Sequence, residues 1–469
     1  MTTLQLAGPS YALRNRKADV QRRINWCPVQ IESGTGQGGS PAYLKQAPGK
    51  VALHTFAGVV RGVAECRGVL YAVAANKLYS VASDWTTTEL GTLSTSVGRV
   101  SMEDNQTQLA IADGSSTLYV YDLDSRVFTV GVGNYVGSKL VQVLDGYGLF
   151  AEPGSPTFRW SGIQDFTSIN STSQLSEETS TGNIVAILVK HRELIVLSER
   201  TGTVWYPIDN PIDIPFARNG GAIIEVGCVA THSLQKLNGT AIWLGKNQDG
   251  GVCVYAMQAY TPQRISNHAL EELLGAIPDL SDAYAWVANH EGLSYYVLQV
   301  PGLSSTWVWE MASGIWHERA EFIAGEFERD YADCHAYCYG YHVVGGSDGI
   351  LYKLDPTHNK SGTRPLVREV ISPHNAHPSA KPVFFASALI VCNTGAGLPS
   401  GEAGTLMLSY SNDGGAEFEN TRYLSTGAIG RRRHKIRALL LGNAEDRVWR
   451  IRVTDDVNIE PISMVINEN

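Results

Sequence analysis

Apolar positions in this 469-residue chain come in paired short runs. Each pair is an apolar run, a turn rich in Gly, Asn or Asp, and a second apolar run carrying an aromatic. From Val69 to Pro356 the pattern is written seven times. The first copy is Val69-Leu70-Tyr71-Ala72-Val73, a turn at Asn76, then Leu78-Tyr79-Ser80-Val81. In the second, residues 109–112 lead through Asp113-Gly114 to Leu118-Tyr119-Val120-Tyr121. Later turns centre on Gly154, Gly202, Asp249, Gly302 and Asp348. Two β-rich runs about a Gly-containing turn make a hairpin. A repeat of roughly 40 to 50 residues leaves room for two more strands, the size of a propeller blade. Runs at 140–144 and 184–189, before their hairpins, and at 126–130, after one, supply such strands. One blade cannot bury both faces, so blades stack into a ring. The pattern predicts an all-β fold: a β-propeller over residues 58–371, of about seven blades with six as the alternative count, plus a β-sandwich-like platform. A series of separate sandwiches is the rival architecture. Closure is expected from a late strand near 366–371 lying beside an early one.

The flanks differ from the repeats. Residues 1–57 carry Arg14, Arg16, Lys17, Arg22 and Arg23 and read as an N-terminal platform arm. Gly34, Gly36 and Gly39 have the spacing of a dinucleotide loop. No strand precedes them and no helix follows, so the pyrophosphate cradle is missing its frame. Residues 268–277 form the one convincing helix, capped by Asn267 and ended by Gly275 and Pro278, with Leu270, Leu273, Leu274 and Ile277 on one face. The Pro-rich stretch 372–382 is a linker whose His374 and His377 read as solvated rather than metal-bound. Residues 383–469 return to strands at 384–392, 405–410, 435–441, 448–453 and 462–466. Here Trp449, Ile451 and Val453 alternate with Arg450 and Arg452, predicting a half-buried sheet with a basic outer face. Both Arg-bearing ends are expected to lie together as the platform.

Charge narrows the partners. The formal net charge is −9, which argues against tight binding to DNA or to an anionic membrane, because phosphate neutralisation needs concentrated Lys and Arg. No apolar run reaches the roughly 18 residues of a membrane span, and no secretory signal is expected at the N-terminus. Seven scattered cysteines read as reduced thiols of a protein assembled in a cytoplasm.

Candidate chemistry is sparse. His317-Glu318 lacks the second His of a zinc-protease helix. Cys334 and Cys338 share one face of a predicted strand, with His335 on the other, and read as buried structural thiols. Ser411-Asn412-Asp413-Gly414-Gly415-Ala416-Glu417-Phe418 is similar to the Asp-box turn of sialidases, a structural hairpin clip. No catalytic, cofactor-binding or metal-ligating residue is assigned, and no cofactor is expected. The sharpest charge feature is Arg431-Arg432-Arg433-His434-Lys435-Ile436-Arg437. It reads either as a solvated strand edge or as a docking patch. Arg431, Arg432 and Arg433 are the candidates for an assembly interface.

Several stretches, in order, resemble a known family: Asn25-Trp26-Cys27-Pro28, then Tyr43-Leu44-Lys45-Gln46-Ala47-Pro48-Gly49, Arg61-Gly62-Val63 and Gly98-Arg99-Val100-Ser101-Met102. Leu406-Met407-Leu408-Ser409, Asp413-Gly414, the arginine run and Trp449-Arg450-Ile451-Arg452-Val453 complete the series. The order resembles the tail hub or nozzle protein of short-tailed bacteriophages, also called the packaged DNA stabilisation protein. The resemblance implies a non-enzymatic virion protein, assembled in the host bacterial cytoplasm. It implies a homohexameric ring below the portal and its head-to-tail adaptor, extending the channel, retaining the genome and conducting it at ejection. The implied partners are the adaptor, a tailspike or tail fibre and, in some phages, a tail needle. Contact with passing double-stranded DNA is transient, and no membrane insertion is implied. The rival from another class is a propeller carbohydrate hydrolase or lectin, which predicts an axial pocket with convergent carboxylates and aromatics.

Overall fold

A computed structural model describes residues 2–32, 42–178, 182–208, 214–247, 250–376 and 381–468. All seven hairpins form, and each becomes the middle pair of a four-stranded antiparallel path. In blade one, Val60–Cys66, Val69–Ala74, Lys77–Val81 and Thr87–Thr92 follow each other outward, with Ala72 opposite Tyr79. Blades two to six repeat this over residues 101–130, 141–176, 184–224, 227–264 and 284–323. In several blades the first and second strands meet in a two-residue turn with both φ values positive, as at Arg67-Gly68, Asp145-Gly146, Glu291-Gly292 and Tyr339-Gly340. Such type I′ turns match the right-handed strand twist.

Among the described residues one apolar core fills each seam between neighbouring blades. Between blades one and two, Tyr71, Val73 and Leu78 meet Leu109, Ile111 and Tyr119. The last seam joins blade seven to blade one through Cys334, Ala336 and Val343 against Leu70, Ala72 and Val81. Cys334 and Cys338 are both buried there, as their shared strand face requires. Burial pushes the Cys334 thiol up to about 12.

The ring closes differently from the expected way. Blade seven takes Ala332–Cys338, Tyr341–Gly346 and Ile350–Asp355 from the end of the repeats. Its fourth strand is Gly49–Thr55, from the stretch assigned above to the N-terminal arm, antiparallel to Ile350–Asp355. A Cβ at Gly49 would stand 2.1 Å from the carbonyl oxygen of His358 and 2.6 Å from that of Lys360, so only glycine fits the strand entrance. The expected closing segment does something else. Arg368–Ile371 pairs with Val20–Ile24 on one side and Asp446–Val453 on the other. The propeller boundaries at 58 and 371 are corrected accordingly: a strand must go where its partner's free edge lies, and sequence position does not reveal that edge.

The two chain ends build two facing sheets. One runs Val20–Ile24, Arg368–Ile371, Asp446–Val453, Thr405–Ser411, Glu419–Ser425; the other Thr2–Gln5, Pro461–Glu468, Val383–Cys392, Ile436–Leu439. They share a core containing Leu4, Trp26, Phe385, Leu408, Trp449 and Ile466. Val20–Ile24 also pairs in parallel with the outermost strand of blade six, Ile315–Ile323, at Ile24 and Glu318. Sheet therefore continues from propeller into platform. This corrects the reading of Arg450 and Arg452 as the basic outer face of the sheet. Arg452 pairs with Glu369 at 2.5 Å and lies over the Phe322 and Phe327 rings of blade six; Arg450 lies over Phe418.

The helix spans His268–Gly275, with the Asn267 side chain accepting the Leu270 N–H at 2.9 Å. Leu270 and Leu274 are buried in the seam between blades five and six, whereas Leu273, expected on the packed face, is exposed.

Candidate axial and assembly sites

Arg431, Arg432 and Arg433 lie in a turn between Glu419–Ser425 and Ile436–Leu439, not on a strand edge. Backbone bonds hold the turn: Arg431 N–H to Ala428 O at 3.1 Å and Gly430 N–H to Gly395 O at 3.0 Å. The Thr394 hydroxyl donates to Arg432 O at 3.0 Å. All three side chains are exposed, and among the described residues no ion pair or side-chain hydrogen bond engages their guanidinium groups. Both flanking strands are sheet edges. The same border exposes Tyr423 at 72%, Leu440 at 73%, Ile429 at 58% and Leu439 at 57%. Sequence reasoning missed these apolar residues. Strand Glu419–Ser425 is almost wholly exposed and polar, so it carries no alternation by which to recognise it.

The other described residues singled out make contacts that tie elements of the fold together. The Arg22 guanidinium forks onto Glu318, which also accepts from the Ser305 hydroxyl at 2.7 Å. His317 is fully buried; burial and the nearby Arg319 hold it well below the usual imidazole range, hence neutral. His374 bonds Asp446 at 2.6 Å and the Arg16 carbonyl at 2.7 Å, tying linker to platform. In the Asp-box-like turn the Ser411 hydroxyl bonds Asp413 and accepts the Gly415 N–H at 2.8 Å, while Asp413 accepts the Ala416 N–H at 2.9 Å. That is a hairpin clip. Gly34, Gly36, Gly39, Asp249 and His377 lie outside the described residues.

At the propeller axis, on the face where first strands end, a cleft of about 330 Å³ gathers Glu65, Glu103, Asp104, His335 and Tyr337. Glu103 accepts from the Gln142 amide at 3.3 Å. Burial, with Asp104 adding repulsion, pushes its carboxyl up to about 7. His335 stacks on Trp286 and meets His342 nitrogen to nitrogen at 2.9 Å. Burial, then the neighbouring His342 and His290, hold it down to about 3, so it stays neutral near pH 7.

Glu103 yields a pH prediction. A carboxyl raised in the fold contributes stability that is complete below its ordinary value of 4.5 and lost as pH rises through about 7. The isosteric Glu103→Gln variant, which never ionises, should be more stable than wild type at alkaline pH by on the order of 1–2 kcal/mol, the figure discounted for partial solvent access. In acid the two proteins should match. Thermal melts on both sides of neutrality check this; an equal difference at both would refute it.

Comparisons with known proteins bear on these features. Among solved structures, the computationally designed Ika8 protein shares 14% identity at a TM-score of 0.36, covering 66% of this chain and 99% of that one. The WD40 beta propeller domain of Doa1 shares 13% at 0.41, covering 66% and 97%. A chain of the mitotic checkpoint complex shares 12% at 0.44, covering 66% and 92%. Likenesses this loose carry no argument, and the propeller assignment rests on the seven sheets. The comparison with curated proteins gives no match. Residues 22–359 match the phage stabilisation family described as Bacteriophage P22 Gp10, beta-propeller; that match begins in the strand joining platform to blade six and ends just past blade seven, and the chain belongs to this family of phage structural proteins.

Proposed function

We propose that this phage structural protein is the tail hub or nozzle of a short-tailed virion, non-enzymatic and working as a hexameric ring. The ring sits below the portal and its adaptor, extends the DNA channel, retains the packaged genome and conducts it during ejection. A tailspike or fibre and, in some assemblies, a needle attach to it. One observation carries the assembly part of this reading: the platform border, where two sheet edges and the turns beside them expose Tyr423, Ile429, Leu439 and Leu440 next to three arginines that have no side-chain partner among the described residues. Apolar side chains grouped at a rim of unpaired backbone mark a contact surface. Arginine suits it because its planar fork bonds carboxylates two at a time, and a chain of net charge −9 offers carboxylates on each neighbouring copy. A net acidic wall would let DNA slide past without the counterion release that drives tight binding.

Individual exposed ion pairs contribute about 0–1 kcal/mol, so the effect comes from repetition around a ring. Replacing Arg431, Arg432 and Arg433 together by Ser should leave the fold and melting temperature unchanged. Ring formation or adaptor docking should weaken, most visibly at low salt, where the ion pairs are least screened, and the difference from wild type should shrink as salt is raised. Light scattering and negative-stain imaging of the purified protein read the outcome. A wild-type protein that stays monomeric at all concentrations, with or without adaptor, would refute the ring. A triple variant assembling like wild type at every salt would remove the arginines from it.

A further inference from the structure

The Glu103 cleft at the propeller axis is one half of a longer groove. A second hollow of about 460 Å³, between blades five, six and seven, meets it at His335 and Tyr337, which line both. Tyr337, on the first strand of blade seven, stands at this saddle and is 57% exposed. Its ring is held from behind by a column of stacked rings. Trp286 stacks on His335 at 5.2 Å, His335 on His342 at 5.2 Å, and His342 meets the Tyr337 ring at 4.9 Å. The hairpin that carries it is pinned to blade one, where the Tyr339 hydroxyl donates to the Val81 carbonyl at 2.7 Å and accepts the Leu70 N–H at 3.3 Å. An aromatic face is thus offered to solvent on a rigid support, so little freedom is lost when something settles on it.

The walls on either side of Tyr337 differ in hydrogen-bonding sense. On the side of blades one and two, Glu65 accepts the Gly68 N–H at 2.5 Å and Asp104 the Gln106 N–H at 2.8 Å. Neither bond exhausts the acceptor sites of a carboxylate. Glu103, its carboxyl pushed up to about 7, is partly protonated near neutral pH and donates as well as accepts. On the side of blades five and six stand Lys236, Asn238 and Asn289, where the Asn289 amide donates to Asn238 at 2.9 Å. The groove therefore mixes acceptors, donors and charges of both signs around one exposed ring.

We propose that this groove binds a neutral oligosaccharide, with one pyranose ring lying on Tyr337 and its hydroxyls reaching both walls. The C–H face of a pyranose is weakly electropositive and complements the negative face of an aromatic ring. Its hydroxyls both donate and accept, which is what walls of unlike sense call for. A nucleic acid would bring phosphates against Glu65 and Asp104, and a cationic peptide would meet Lys236. A purely apolar segment would strip water from the carboxylates without replacing its hydrogen bonds. The site is distinct from the platform border and does not depend on ring formation.

The test uses the full chain and three neutral probes, maltotetraose, cellotetraose and chitotetraose, each titrated to about 10 mM and followed by calorimetry and saturation-transfer NMR. At least one should bind, with saturation strongest on the ring C–H protons of one sugar unit. Affinity should stay level as salt rises from about 50 to about 300 mM, since the ligand carries no charge. Tyr337→Ala should weaken binding about fivefold or more, whereas Tyr337→Phe, which keeps the ring, should stay within about twofold of wild type. Asn289→Ala, on the opposite wall, should weaken it as well. Melting temperature and oligomeric state should be unchanged in all three variants. The proposal is overturned if none of the tetrasaccharides binds, or if Tyr337→Ala and Asn289→Ala both bind like wild type. It is equally overturned if a Lys-Ala peptide binds more tightly than any of the sugars and is lost in Tyr337→Ala, which would make the groove a cationic-peptide site.

Discussion

Lys50→Met should destabilise the fold by about 3–5 kcal/mol near neutral pH, the range for breaking one partner out of a buried ion group. Lys50 sits in the closing strand Gly49–Thr55, and its ammonium pairs with Glu321 at 2.5 Å and with Asp330. All three are buried. Glu321 belongs to the outer strand of blade six, and Asp330 to the crossing into blade seven. The Ser361 hydroxyl and the Ala332 N–H supply further bonds to the two carboxylates, at 2.6 and 3.0 Å. One ammonium thus fixes the closing strand to the last two blades. Burial alone would depress the Lys50 pKa, but Asp330 and Glu321 outweigh it and raise it. Burial alone would raise Asp330, but Lys50 outweighs it and holds the carboxyl below its ordinary value. In wild type the Asp330 contribution is therefore present above the usual carboxylate range and lost as pH falls through the depressed value. In the variant two buried carboxylates lack their counter-ion and favour protonation. Its deficit should shrink on acidification toward about pH 4. Denaturant melts at two pH values check both parts; a deficit under about 1 kcal/mol at neutral pH would show that the carboxylates find other partners.

Trp449→Ala is the second large loss, about 3–5 kcal/mol for a fully buried aromatic in a filled core. Trp449 is 1% exposed and packs edge-on against Phe385 and Tyr410. Beside it the Arg447 guanidinium lies over the same Tyr410 and Phe385 rings, at 3.9 and 4.3 Å, and donates to the Leu441 carbonyl at 2.7 Å. Truncating the indole opens a void and removes one wall from a buried cation. Because sheet continues from this strand through Arg368–Ile371 and Val20–Ile24 into blade six, platform and propeller should melt together. Calorimetry should show one transition in wild type, moved as a unit by Trp449→Ala. Two wild-type transitions, with only one responding, would show that the junction does not couple them.

The propeller was legible because its signal is local. An apolar pair, a turn with Gly or Asp and an aromatic second run depend on residues a few positions apart, and the repeat multiplies that signal seven times. Asn267 and the leucines after it announced the helix for the same reason. The basic run was visible as charge, yet its turn geometry was not, since three consecutive arginines carry no periodicity that separates turn from strand edge.

Sequence alone therefore determined the class of fold, the size of its repeating unit and the place of the arginine cluster in the chain. Tertiary structure decided which strand closes the ring, and that Arg452 lies against blade six while Arg450 lies over Phe418. The physical reason is that strand pairing and charge compensation are settled between residues hundreds of positions apart. Gly49–Thr55 could complete any open edge, and Lys50 reads as an ordinary exposed lysine until Glu321 and Asp330 are brought around it.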